Sequence, residues 1–379
     1  MARTAMDYWY KHAVMGEQWA GRIASRLRGE TPPMASWIVR GGCAVQCQHC
    51  IFPFEGPKAY LENPGEETMI SLLGQLTGKR TLVHEGRQLL PSQVPTLAAI
   101  KRAGHDVSLI NNGQYVTPAM LSLIEREGLK VDALDVSVDG TVELHNAQRS
   151  SSKAWEWAMK GLKHGREILT PQGKLTSLYT LTPLNCFAVR EAGETIVPLV
   201  DEWHLTTMSL RSGIVHMRAS KRELDSALKQ LFGTRWGKPV FLRTYSLDDF
   251  VWILEILGKR AARKALMNAK VTYNAIVLDI EGVPFYFYPK SLAVNETLVI
   301  DADAWWRFAY CIHYTLDELQ AGRNKHGRDI SHFNVVPVSK KLDVKSQYAQ
   351  ATKQWWKAIG MECLSDERAA VQEFLHGAG

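Results

Sequence analysis

Three cysteines crowd into the run Gly41-Gly42-Cys43-Ala44-Val45-Gln46-Cys47-Gln48-His49-Cys50, in a C-x₃-C-x₂-C spacing. Three thiolates on one short loop can hold three irons of a cubane cluster and leave the fourth without a protein ligand. Such an open metal position lets a small molecule bind and react. A structural zinc site is the alternative, and its fourth ligand would have to be His49 or a distant residue. Gly41 and Gly42 allow the backbone to bend sharply into the loop. Cys186, Cys311 and Cys363 are scattered. A secreted disulfide scaffold would instead spread its cysteines evenly over a much shorter chain.

The flanking elements must hold this loop at one end of a sheet. Between Ser36 and Gly213, Trp37–Arg40, Thr81–His84, Val107–Ile110, Ala133–Val138, Leu175–Leu181 and Thr206–Arg211 read as strands. Glu66–Leu76, Pro95–Ala103 and Pro118–Arg126 read as amphipathic helices between them. Thr117 is placed as an N-cap with Pro118 at the first helical position, and Gly104 and Gly128 as C-terminal caps. The alternation predicts an α/β fold, a partial (βα)6 barrel of the TIM type, with reactive residues just after the strands. Beyond Gly213, Lys221–Phe232 and Asp248–Asn268 read as helices. Val271–Ile280, Val283–Pro289 and Thr297–Ile300 read as an antiparallel meander turning at Glu281-Gly282. The stretch Gln347–His376 reads as helical, with Trp355 and Trp356 as packing area. The division expected is a helical extension over 1–35, the barrel core over 36–213 and a smaller α+β region over 214–379.

The cysteine spacing, placed after the first strand of a six-unit βα pattern, resembles the radical S-adenosylmethionine (SAM) superfamily over about half the chain, residues 36 to 213. The resemblance implies a 4Fe–4S cluster on Cys43, Cys47 and Cys50 whose fourth iron chelates SAM. It implies reductive cleavage of SAM to methionine and a 5′-deoxyadenosyl radical, hydrogen abstraction from a substrate, and a flavodoxin- or ferredoxin-like electron donor. It also implies contacts to SAM. His49 stands where the family has an aromatic residue before the last cysteine. Glu85, in Val83-His84-Glu85-Gly86, keeps the acid of the Gly-Gly-Glu element while both glycines are replaced. Asn112, in Asn111-Asn112-Gly113, resembles a Thr-Asn-Gly element. Ser137-Val138-Asp139-Gly140 with His145 and Arg149 resembles a Ser-x-Asp-Gly…His-x₃-Arg pattern. Ser137 and Arg149 suit the SAM ribose and carboxylate. Asp139, His145 and Arg149 read equally as a hydrogen-bond network at a helix start. Thr182, Asn185 and Arg211, at the ends of the fifth and sixth strands, are placed at the barrel mouth.

Many relatives follow the barrel with a cysteine-rich module, termed SPASM or twitch. Thr297–Ala304 through Cys311, with Thr315–Leu319, resembles its hairpin and helix, but Cys311 and Cys363 cannot hold a cluster alone. The expectation is one cluster and a degenerate module, with an unrelated helical cap as the alternative. A single cluster favours redox-neutral outcomes: elimination, rearrangement or epimerisation. In an epimerisation Cys186 or Cys311 would return a hydrogen atom, although free cysteines are also common core residues. Phe285–Tyr288 and Trp305-Trp306 would wall a pocket or pack the core.

At 46% apolar and 22% charged residues, the 379-residue composition is that of a soluble globular protein. A run of about 18 apolar residues, as a membrane span needs, is missing, and a cytoplasmic protein is expected. The net charge of +6 is spread along the chain, with Arg323, Lys325 and Arg328 read as solvated surface. That suits an anionic ligand and falls short of a nucleic-acid footprint. About 40 residues precede the cluster, too few for a leader-binding winged helix. The expected substrate is therefore a small polar metabolite: a sugar, nucleoside or amino-acid derivative. Peptide or protein modification is the alternative, and a metal-stabilised, non-catalytic binding protein is the reading from another class.

Overall fold

The computed structural model describes residues 34–38, 43, 45–50, 65–74, 81–85, 89–208, 212–271, 275–288, 297–300, 306–309 and 335–339. Its backbone is one sheet. Seven strands run parallel in chain order: β1 (Met34–Ile38), β2 (Thr81–Glu85), β3 (Asp106–Asn111), β4 (Val131–Ser137), β5 (Leu169–Leu181), β6 (Glu202–Thr207) and β7 (Val240–Thr244). Parallel neighbours need crossovers. These carry α1 (Glu66–Leu73), α2 (Val94–Arg102), α3 (Pro118–Arg126), α4 (Val142–Gln148), α5 (Ala154–Ile168), α6 (Val189–Ile196) and α7 (Lys221–Phe232). The α/β partial-barrel expectation holds, and the sheet runs one parallel strand further than the six read from the sequence. The last predicted barrel strand lies earlier than expected, at Glu202–Thr207 rather than Thr206–Arg211.

Side-chain alternation sorts the strands into two faces. Leu134 and Val136 of β4 and Leu175 of β5 meet the α5 glycines, so they face the helices. Trp203, Leu205 and Leu242 join the same buried core. The approach of α5 is very close: a methyl group on Gly161 would sit 2.9 Å from the Cα of Gly113. Gly113 itself holds φ +86°, and a Cβ there would lie 2.2 Å from the Trp157 carbonyl oxygen. Only glycine meets both demands. The local punctuation follows the sequence. Thr117 accepts from the Met120 amide at 3.2 Å to cap α3, and Gly104 and Gly128 take positive φ at 90° and 66°.

Both sheet edges are antiparallel. After α7 come β7, α8 (Leu247–Leu257) and α9 (Lys259–Met267). The single helix expected over Asp248–Asn268 is split by Gly258, whose φ of 77° lies outside the helical range. Then β8 (Lys270–Val271), β9 (Ile276–Ile280) and β10 (Val283–Phe287) close one edge. The last pairs parallel with β7 and antiparallel with β9 through the expected Glu281-Gly282 turn. Thr297–Ile300 (β11) does not join this meander. It pairs parallel with β1 at the opposite edge, followed by β12 (Trp306–Ala309) and β13 (Val335–Ser339). A four-residue apolar run specifies a strand but not its neighbour. The readings at 1–33, Gly41-Gly42, Gly86, Arg211, Pro289, Trp305, Cys311, Thr315–Leu319, Arg323, Lys325, Arg328, Cys363 and Gln347–His376 lie outside the described residues.

Candidate active site

The cysteine loop leaves the C-terminal end of β1 and is pinned onto α4. The Gln48 amide donates to the Gln148 carbonyl oxygen at 2.9 Å, and the Gln48 side-chain amide donates to the Ala147 carbonyl oxygen at 2.9 Å. The Cys50 amide donates to the Cys47 carbonyl oxygen at 3.1 Å, folding the last turn. All three cysteines are half-buried. Asn112, just after β3, directs Nδ2 at the Cys43 Sγ, 3.9 Å away. Arg149 directs Nη1 at the Cys47 Sγ, 3.8 Å away.

Asp139 organises the rim. One carboxylate oxygen accepts from Arg149 Nε at 2.8 Å and Nη2 at 2.6 Å; the other accepts from the Thr180 amide at 2.8 Å. The Asp139 amide donates to His145 Nδ1 at 2.9 Å, and His49 Nε2 stands 3.8 Å from the carboxylate. Burial alone would push this carboxyl up, but Arg149, His49, His145 and the Thr180 amide together hold it at about 2. Burial drives the His49 ring down to about 4, against the pull of Asp139. The Asp139–His145–Arg149 group thus forms a hydrogen-bond network running from the start of α4 to the residue after its end, with one guanidinium nitrogen left for the cysteine loop.

A second buried set braces the first. The Thr182 hydroxyl donates to Gln148 Oε1 at 2.7 Å. Asn185 Nδ2 donates to the same oxygen at 3.1 Å and to the carbonyl oxygens of Asp139 at 2.9 Å and Thr180 at 2.8 Å. Thr182 and Asn185 sit after β5 as expected, but both are buried and engaged with one another. Gln148 was not singled out by sequence, since nothing in its local pattern marks it as a partner of residues on β5. Ser137 ends β4 opposite Leu178, half-buried. Glu85 ends β2 opposite Ile38; its side chain, like the whole of Arg211 and Cys311, lies outside the described residues. Cys186 is buried in the helix-side core, where burial, with Glu223 and Asp249 nearby, raises its thiol well above the usual range.

The donor chemistry of the loop fits a cluster. Burial pushes the Cys47 thiol up to about 12, with Arg149 pulling the other way. Such a sulfur becomes a thiolate at neutral pH when a metal takes the place of its proton. Among the described residues no three His, Cys, Asp or Glu side chains converge on the position of a single metal ion. A cubane asks for something else, three thiolates each at its own iron.

No protein-family model matches this sequence, and no curated protein matches it. Solved structures do. SuiB of Streptococcus suis, a radical SAM enzyme, bound to the precursor peptide SuiA, matches with a TM-score of 0.50 at 12% identity over 85% of this chain and 67% of that one. A second SuiB structure gives 0.48 at 11% over 73% and 60%, so the chain spans about two thirds of SuiB or less. The enzyme anSMEcpe with bound AdoMet gives 0.49 at 13% over 91% and 99%. The fold of this chain is that of the radical SAM enzymes, with three cysteines in their C-x₃-C-x₂-C spacing on the loop after the first parallel strand.

Proposed function

We propose that this chain is a radical SAM enzyme acting on a peptide or protein. The observation that carries it is the cysteine trio, placed after the first parallel strand of a partial-barrel sheet and braced by Asn112 after β3 and by Arg149 at the C-terminal end of α4. Cys43, Cys47 and Cys50 would hold one 4Fe–4S cluster, since Cys311 and Cys363 are too few for a second. Held there, the cluster would supply one-electron reduction of SAM, with a flavodoxin- or ferredoxin-like protein as the donor, and so reductive cleavage of SAM for hydrogen abstraction from the substrate.

The chain's own groups hold the loop. Gln48 ties it to α4, and Asp139 locks Arg149 in place against Cys47. Ser137 at the end of β4 and Asn112 just after β3 are the proposed SAM contacts among the described side chains, with His49, Glu85, Thr182 and Arg211 assigned by resemblance. Arg149 has one fork edge taken by Asp139, which leaves Nη1 for the loop or for a SAM carboxylate. A peptide substrate replaces the small metabolite reached by elimination from the sequence, because SuiB, similar in fold, is seen with a precursor peptide. Cys186, set in the apolar core, serves packing in this proposal rather than hydrogen-atom return.

Anaerobic reconstitution with iron and sulfide, then dithionite and SAM, tests the central claim. Production of 5′-deoxyadenosine that vanishes when Cys43, Cys47 and Cys50 are replaced by Ala supports it. Retention of zinc, no cubane spectrum and intact SAM would overturn it.

A further inference from the structure

The concave face of the sheet, opposite the helices, carries a charge that the rim network does not use. Arg243 alternates along β7 with Leu242 and Thr244, both fully buried, so its side chain lies on the sheet face away from the helices. It pairs across the sheet with Thr206 of β6 and Tyr286 of β10. Thr206 in turn pairs with Thr180, whose amide binds Asp139. Arg243 therefore shares a sheet row with the residues that brace the cysteine loop.

Its neighbours leave it uncommitted. Glu202 is engaged twice, by Lys174 and by His204 Nε2 at 3.0 Å. Arg243 is near enough for Asp135, His204 and Tyr288 to feel its charge. Yet its Nε is buried and has no hydrogen-bond partner, and no ion pair joins it to a carboxylate among the described residues. Uncharged buried nitrogens such as Trp37 Nε1 and Trp203 Nε1 share this state, but among the described residues Arg243 is the one permanently charged side chain that does, and a buried donor without an acceptor asks for an explanation. Beside it stands an aromatic wall: Tyr245 stacks on Tyr288 at 4.9 Å, Tyr288 on Tyr286 at 6.3 Å, and Phe241 lies 6.1 Å from Tyr286.

We propose that Arg243 anchors a carboxylate-binding subsite on the concave face of β6, β7 and β10, and that the substrate is a peptide carrying a carboxylate next to an apolar or aromatic residue. A guanidinium fork binds a carboxylate in bidentate geometry, and the tyrosines offer the adjoining residue a flat, largely apolar surface. The carboxylate is an acidic side chain or a free C-terminus. Calling the ligand a substrate rests on the radical SAM proposal; binding the carboxylate does not.

Three capped dipeptides test this on the reconstituted protein by saturation-transfer NMR: acetyl-Tyr-Glu-amide, the neutral acetyl-Tyr-Gln-amide, and acetyl-Gln-Tyr with a free C-terminus. At least one carboxylate probe should bind about tenfold more tightly than the neutral one, and whichever does so identifies the source. Arg243→Gln should erase that preference, and Arg243→Lys should keep part of it. Equal binding of all three, binding by none, or a preference that survives Arg243→Gln overturns the proposal. So does loss of the preference when SAM is added, which would give the guanidinium to the methionine carboxylate. SAM cleavage without carboxylate selectivity sinks only this subsite; selectivity without SAM cleavage sinks only the enzyme reading.

Discussion

The rim around the cysteine loop and the concave floor below β6 and β7 are both polar, yet they are built in opposite ways. At the rim every oxygen of Asp139 has a donor, Arg149 is tied to Asp139, and Gln148, Thr182 and Asn185 are tied to one another, with only the outer ring nitrogens His49 Nδ1 and His145 Nε2 left over. On the floor Arg243 has a buried nitrogen with no acceptor, and Asp135 stays ionisable near neutrality. A closed network in low dielectric gives position, because each member is held from several sides. An open one gives binding, because its missing partner is supplied from outside. Substitutions should therefore cost stability at the rim and ligand affinity on the floor.

The largest effect is expected at Asp139. Asp139→Ala leaves the Arg149 guanidinium buried without its partner, and breaking a buried pair in this way costs about 3–5 kcal/mol. Urea unfolding should show the drop in midpoint. A loss below about 1 kcal/mol would mean that the rim is not the closed network its distances describe.

Next comes the packing beneath the rim. Gly113→Ala places a methyl group against the Trp157 carbonyl oxygen of α5, at a φ that L-residues seldom adopt. Strain and overpacking together should cost about 2–4 kcal/mol. The same variant should also disturb Asn112, one residue away, and so weaken iron retention after reconstitution.

These two positions show how legibility divides. Asn112, Gly113, Asp139 and Arg149 stand out in the sequence through their resemblance to the family's motifs, and the first three also lie at strand ends, which follow from βα alternation. The caps at Thr117, Gly104 and Gly128 are equally local. What escaped is pairing across distance. Nothing near Gln148 announces that its oxygen will receive Thr182 and Asn185. Nothing in Thr297–Ile300 tells it to join β1 instead of β10. Strand β7, five residues long, alternates too briefly to be separated from a loop, so Arg243 had no face until its neighbours were known.

A smaller effect, of opposite sign, is expected at Asp135. Burial pushes its carboxyl from 3.8 up to about 6, with Arg243 and the Thr176 hydroxyl opposing and Glu202 adding to the rise. The native state thus holds this proton through a range where the unfolded chain has lost it. The proton-linked stability is fully present below the unfolded value and is lost as pH rises through about 6. Asp135→Asn removes the charge while keeping the shape. The variant should gain about 2–3 kcal/mol over the parent near pH 8 and no more than about 1 kcal/mol near pH 4.5. An equal gain at both pH values would show that another group titrates.

The smallest change in stability is expected at Arg243, and its smallness sharpens the contrast with Asp139. With no hydrogen bond or ion pair to lose, Arg243→Gln should change the unfolding free energy at pH 5 by no more than about 0.5 kcal/mol. What remains should run through Asp135, whose carboxyl would rise further once the neighbouring cation is gone. The coupling is then measurable as a double-mutant cycle: Arg243→Gln near pH 8 should cost more in the parent than in Asp135→Asn, where there is no charge left to desert. A cost above about 2 kcal/mol in both backgrounds would mean that Arg243 is a structural member of the floor, as Arg149 is of the rim. The two regions would then be built alike, and the floor would have no vacancy for a substrate carboxylate to fill.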